Sequence, residues 1–191
     1  SIAADPADAA NKVMKVVKTA GAEVWAGTTM STSLGLAKAI PLKSGASTMQ
    51  ARVYSPAAGI KVKLKVEDHN NGNISVETDA VTTVANAWEV LEFNFANQSA
   101  GTPAVNYANN YDKASIFFDF GNGGSGKVFY CDDVMMKPAA VVLSQINLPV
   151  TFDATTVNYT MTDFGNNSTV DAVDPTSSSN KVKKTTKVNG A

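Results

Sequence analysis

Apolar and polar residues alternate with period two along much of this chain. In residues 61–67, Val62, Leu64 and Val66 point one way, and Lys61, Lys63, Lys65 and Glu67 the other. That period puts successive side chains on opposite faces of a β-strand. Residues 48–54 repeat it, with Met49, Ala51 and Val53 set against Gln50, Arg52 and Tyr54. Residues 88–95 alternate again, and 114–120 are the most apolar stretch, which predicts a central strand. Turn signals separate these runs: Ser55-Pro56-Ala57-Ala58-Gly59, residues 68–73 with Asn71-Gly72 at the centre, and the glycine-rich loop 121–126. The one helical candidate, residues 33–39, is short and contains Gly35. Many short strands at roughly ten-residue spacing predict an all-β antiparallel sandwich.

The chain also repeats itself. Residues 5–22 and 174–191 align without a gap at an offset of 169. Nine of the eighteen pairs are identical: Asp5/Asp174, Pro6/Pro175, Asn11/Asn180, Lys12/Lys181, Val13/Val182, Lys15/Lys184, Lys18/Lys187, Gly21/Gly190 and Ala22/Ala191. Turn residues match as well as strand residues, which sets the pair apart from two unrelated lysine-rich strands. The period divides the chain into a module over residues 1–137 lacking its first strands, a linker over 138–147, and residues 148–191 as first strands of a next repeat. A β-module short of strands has an open edge. The expectation is that residues 148–191 fill such an edge, either folded back as a permutation or donated to a neighbour.

Composition narrows the function classes. Lys plus Arg number 16 against 17 for Asp plus Glu, which speaks against a nucleic-acid binder. One Cys, Cys131, excludes a disulfide framework, and one His, His69, excludes any site needing two. Cys131 alternates with aromatic residues and is expected inside; His69 sits in an Asn-rich turn and is expected in water. No apolar run is long enough to insert in a membrane, and the first residues lack the basic and apolar regions of a signal peptide. The loop 121–126 lacks the Lys-Ser/Thr of a phosphate loop. Ser, Thr and Asn make up 50 of the 191 residues, a bias that suits an extracellular, cell-surface or virion-surface β-protein.

The order of segments adds a resemblance. Asn11–Val16, Trp25-Ala26-Gly27, the strand at 50–54, the strand at 88–93 and Phe129-Tyr130-Cys131-Asp132-Asp133-Val134 follow one another in a way that resembles β-jelly-roll carbohydrate-binding modules of the galactose-binding-like kind. Residues 148–153 resemble the first strand of such a module, so the likeness spans nearly the whole chain in permuted order. It also extends to repeat modules of large bacterial surface proteins and phage structural proteins. The resemblance implies a jelly-roll fold and a structural calcium held by Asp132 with Asp153. It implies a core role for Trp88.

Sugar recognition needs a flat aromatic face and hydrogen-bonding groups beside it. Trp25 lies between turn residues; Arg52 and Tyr54 share a strand face, as do Lys65 and Glu67 on another. These five are the candidate glycan-binding residues, against the plain alternative of solvated strand faces. No nucleophile with its base is apparent, so the expected role is non-catalytic. The leading reading is a structural repeat of an extracellular or particle-surface fibre. Its partners are copies of itself or adjacent repeats, engaged through residues 148–191, with polysaccharide as a further ligand. The other reading is a carbohydrate-binding module that targets an attached enzyme or cell to a polysaccharide.

Overall fold

The computed structural model describes residues 1–139 and 143–187. Among them the chain forms eleven strands and no helix. It divides into two compact units, Ser1–Pro138 and Ala139–Ala191. The boundary falls at the start of the expected linker, of which residues 140–142 lie outside the described residues.

In the first unit the strands are β1 (Ile2–Ala4), β2 (Lys12–Lys18), β3 (Thr28–Thr29), β4 (Thr48–Ser55), β5 (Lys61–Asp68), β6 (Asn71–Val81), β7 (Ala87–Asn94), β8 (Lys113–Phe118) and β9 (Lys127–Met136). They make a five-stranded sheet, β1-β2-β9-β4-β7, and a four-stranded sheet, β3-β8-β5-β6. All pairings are antiparallel. From β2 to β5 and again from β6 to β9, each strand lies in the sheet opposite its predecessor, apart from the β5–β6 hairpin. This is a sandwich of jelly-roll type.

The alternation of the sequence decides the two inner faces. Ala51 and Val53 of β4, Leu91 and Phe93 of β7, and Phe129 and Cys131 of β9 meet Val62, Leu64 and Val66 of β5, Val76 of β6, and Ile116 and Phe118 of β8. Phe118 stacks on Phe129 across the gap, centroids 4.7 Å apart. Each such buried side chain contributes about 1.5–3 kcal/mol by leaving water.

Three local expectations fail. Residues 33–39 form no helix; Gly35 is held at φ 77° by a Thr32–Gly35 bridge, with the Asp112 backbone oxygen against it. The β5–β6 turn centres on His69-Asn70, because Asp68 pairs with Asn71; Gly72 lies in β6. Lys63, expected in water, is buried. Its ammonium lies 3.1 Å from Glu77, 3.0 Å from Asp79 and 2.6 Å from Ser99 Oγ.

The second unit holds β10 (Asn167–Asp174) and β11 (Ser177–Lys187), paired in a sheet of their own. None of its described residues is buried. An open groove of about 800 Å³ runs along the hairpin, with Leu143, Phe152, Tyr159, Met161, Val170 and Val182 on its walls.

The repeat is a repeat of structure. In the first hairpin Ile2 pairs with Met14, Ala3 with Val13 and Ala4 with Lys12. In the second, Asp171 pairs with Lys183, Ala172 with Val182 and Val173 with Lys181. The offset of 169 carries each pair onto its counterpart, so the two hairpins share one register.

Candidate docking and ligand surface

The turn after β1 builds a polar node on the outer face of the five-stranded sheet. Asp5 precedes Pro6 and caps its own turn, its Oδ1 accepting the Ala7 N–H at 2.7 Å. The same oxygen accepts the Trp88 indole N–H at 2.8 Å, from the far edge of the sheet. Its Oδ2 accepts from Asn11 Nδ2 and from Arg52 Nη1, both at 3.3 Å. The Asp5 side chain is only 1% exposed. Burial by itself raises this carboxyl, but the Ala7 N–H, Trp88, Asn11 and the Arg52 charge together bring it down to about 2.

Around this carboxylate the aromatic residues gather. Arg52 lies 4.1 Å over the Trp88 ring. Tyr54 meets Trp88 and Tyr130 edge-on at 5.7 and 5.8 Å. Tyr54, Trp88 and Tyr130 are all half-buried, and Val90 beside them is exposed. Asn11 also donates to Asp132 at 3.0 Å. At the other end of β2, Lys18 is buried, with its ammonium on the carbonyl oxygens of Val24, Phe118 and Asp119. Burial lowers its pKa, Asp119 opposing and Lys127 adding to the shift. So three side chains fasten the first hairpin to the body of the sandwich: Asp5, Asn11 and Lys18.

The second hairpin repeats the turn without the body. Asp174 Oδ1 accepts from the Thr176 N–H at 2.8 Å and the Thr176 hydroxyl at 2.7 Å, and Oδ2 accepts from Asn180 Nδ2 at 2.9 Å. These bonds hold the carboxyl at about 2, as at Asp5. Residues 139–191 include neither Arg nor Trp, so nothing in that unit can play the part of Arg52 and Trp88.

The five candidate glycan residues fall on different surfaces. Arg52 and Tyr54 lie together on β4, in the five-stranded sheet, and Arg52 is engaged by Asp5 and Trp88. Lys65 and Glu67 lie on β5, in the four-stranded sheet, 2.5 Å apart, and Lys113 is 2.7 Å from the same carboxylate. Glu67 is buried, which raises its pKa, but Lys113 and Lys65 hold it below the usual range. Trp25 is 63% exposed on the turn before β3. Arg52 and Tyr54 are the two predicted residues that share a face with further aromatic side chains, Tyr130 and Trp88.

The two expected calcium ligands are in separate units, Asp132 in the first and Asp153 in the second. Asp132 receives the Asn11 amide and lies 3.8 Å from the Arg52 guanidinium. Calcium wants six to eight oxygen ligands; a carboxylate facing an amide donor and a cation does not fit that set. The resemblance implies a core role for Trp88, and here it is half-buried and donates to Asp5 on the outer face. Asp5, Asn11 and Lys18 were missed as contact residues, although all three stand among the identities of the repeat.

One other polar pair is internally matched. His69, expected in water, has Nδ1 2.7 Å from Asp112, whose other oxygen accepts the His69 backbone N–H. Cys131 is buried as expected; burial, with the charge of Asp132, pushes its thiol up to about 12, so it stays protonated near neutral pH.

No protein-family model matches the chain, and no curated protein sequence matches it. Among solved structures, similarity extends to the family 30 carbohydrate-binding module of the cellulosomal cellulase Cel9D-Cel44B of Clostridium thermocellum. Identity is 7% over 72% of this chain and 82% of that one, with a TM-score of 0.47. A second structure of a family 30 carbohydrate-binding module gives 6% identity, 73% and 75% coverage, and 0.43. At such identities no residue role passes from them to this chain. Among the described residues no helix is long and apolar enough to cross a membrane.

Proposed function

We propose that this chain is a non-catalytic structural repeat of an extracellular or particle-surface fibre, joined to its neighbours by strand complementation through residues 148–191. One observation carries the reading: the second hairpin has the register of the first and forms its own sheet with no buried residue. A two-stranded hairpin is marginally stable alone and gains by joining a larger sheet. The extracellular placement rests on the Ser/Thr/Asn-rich, cysteine-poor composition. The test is particle size by light scattering, for the full chain beside a chain ending at Lys137. Growth of the full chain alone with concentration is the expected result. Equal, monomeric sizes would sink the reading.

A second reading has its own support: glycan binding at the half-exposed Tyr54 and Tyr130 beside Arg52. Sugar rings stack on aromatic faces, and Arg donates to their hydroxyls. Affinity electrophoresis through soluble polysaccharides tests it. Retardation lost in Tyr54→Ala but kept in Trp25→Ala places the site on the five-stranded sheet; the reverse places it at the Trp25 turn. No retardation on any polysaccharide removes this reading.

A further inference from the structure

Resting on the reading of the chain as a self-associating repeat, we infer where the second hairpin docks: on the body of a second copy of this chain, in the seat of that copy's first hairpin. Asp174 would then bind Arg52 and Trp88, Asn180 would bind Asp132, and Lys187 would take the carbonyls of Val24, Phe118 and Asp119.

The argument is a comparison of the two hairpins residue by residue. The three side chains that fasten the first hairpin to its body are Asp5, Asn11 and Lys18. All three recur, as Asp174, Asn180 and Lys187. The apolar contacts are not all kept: Met14 and Val16, which pack against the core, correspond to Lys183 and Thr185, and the Ile2–Met14 pair becomes the Asp171–Lys183 ion pair of 2.5 Å. The polar anchors are the part that recurs unchanged. Lys18 is buried, whereas Lys187 is exposed. Among the described residues of its own unit, Asp174 and Asn180 bond only within their own turn, and Lys187 is exposed.

The seat belongs to the sandwich. β2 pairs with β9 as Met14↔Cys131, Lys15↔Tyr130 and Val16↔Phe129. The offset sets Lys183 opposite Cys131, Lys184 opposite Tyr130 and Thr185 opposite Phe129. A second copy's own hairpin must leave first, so the step is an exchange of like elements between chains. Lys183 replaces Met14 at the partly exposed rim of the core, where a lysine stem can pack while its ammonium reaches water.

The single native cysteine reports the register. Lys183→Cys combined with Cys131→Ser is mixed with the wild-type chain under mild oxidation, and peptides are read by mass spectrometry. A 183–131 link can then form only between two copies. Met14→Cys in the full chain is the reference, bridging to Cys131 within one chain at the same pairing. In parallel, Lys187→Ala is expected to weaken association about tenfold, as loss of one charged anchor would. The 183–131 link, or weakened association of Lys187→Ala, supports this seat. Association that persists in Lys187→Ala, without the link, overturns the docking mode and leaves fibre assembly standing. Monomeric wild-type chain at every concentration overturns both.

Discussion

A carboxylate closed in by an indole, an amide and a guanidinium is the most constrained residue of the sandwich. Asp5 is held at about 2, below its ordinary 3.8. A depressed carboxyl contributes stability that is present above its unfolded value and lost as pH falls through the folded one. The first unit is therefore expected to lose stability between about pH 4 and pH 2, with Asp119, Glu67 and Asp112 lowered in the same direction. Urea midpoints taken across that window should fall less steeply in Asp5→Asn; an unchanged slope would show that Asp5 does not carry the effect. Gly124 gives a steric counterpart. A Cβ there would run into the Thr19 carbonyl oxygen and come within 2.7 Å of the Ala22 Cβ. Gly124→Ala should cost about 2–3 kcal/mol, read as a lower urea midpoint at constant m-value. Neither constraint was legible as such in the sequence. The glycine-rich loop reads only as a turn, and Asp5 stood out solely because Asp174 matches it.

At the scale of the strand, alternation was an accurate guide to one face and a poor guide to the other. Val62, Leu64 and Val66 point into the core as their spacing predicts. Lys63 and Glu67 point away from it and are buried all the same. Period-two patterning reports which side a residue takes and is silent on what later covers that side. Here Ser99 donates its backbone N–H to the Glu77 carbonyl and offers its hydroxyl to Lys63. Lys63→Met would leave Glu77 and Asp79 facing each other without a cation, at a cost of about 3 kcal/mol. The accompanying sign is faster amide exchange at Ser99; unaltered exchange there would mean the segment is held by other contacts. The helical candidate at residues 33–39 is not helical for a related reason, since the Leu36 N–H is taken by the Asp112 carbonyl, far along the chain.

For the whole molecule, the division into a buried-core unit and a hairpin unit none of whose described residues is buried predicts two unfolding transitions. Calorimetry should show the second unit melting first, and a chain ending at Lys137 should retain only the upper transition. One cooperative peak that disappears with the truncation would mean the two units fold as one. The antiparallel sandwich follows from spacing, because alternating runs with turn signals between them recur along residues 48–136. The grouping of Trp25, Lys65 and Glu67 with Arg52 and Tyr54 did not follow, because strands adjacent in sequence alternate between sheets.

The placement of Cys131 has a consequence in time rather than in space. Its thiol lies on β9 directly opposite Met14 of β2, buried and pushed up to about 12. Departure of the first hairpin removes β2, its strand neighbour on one side, and opens it to a thiol reagent. The rate at which Cys131 is labelled in the otherwise native chain is thus a clock for hairpin release. It sets the upper limit on how fast one copy can accept a strand from another.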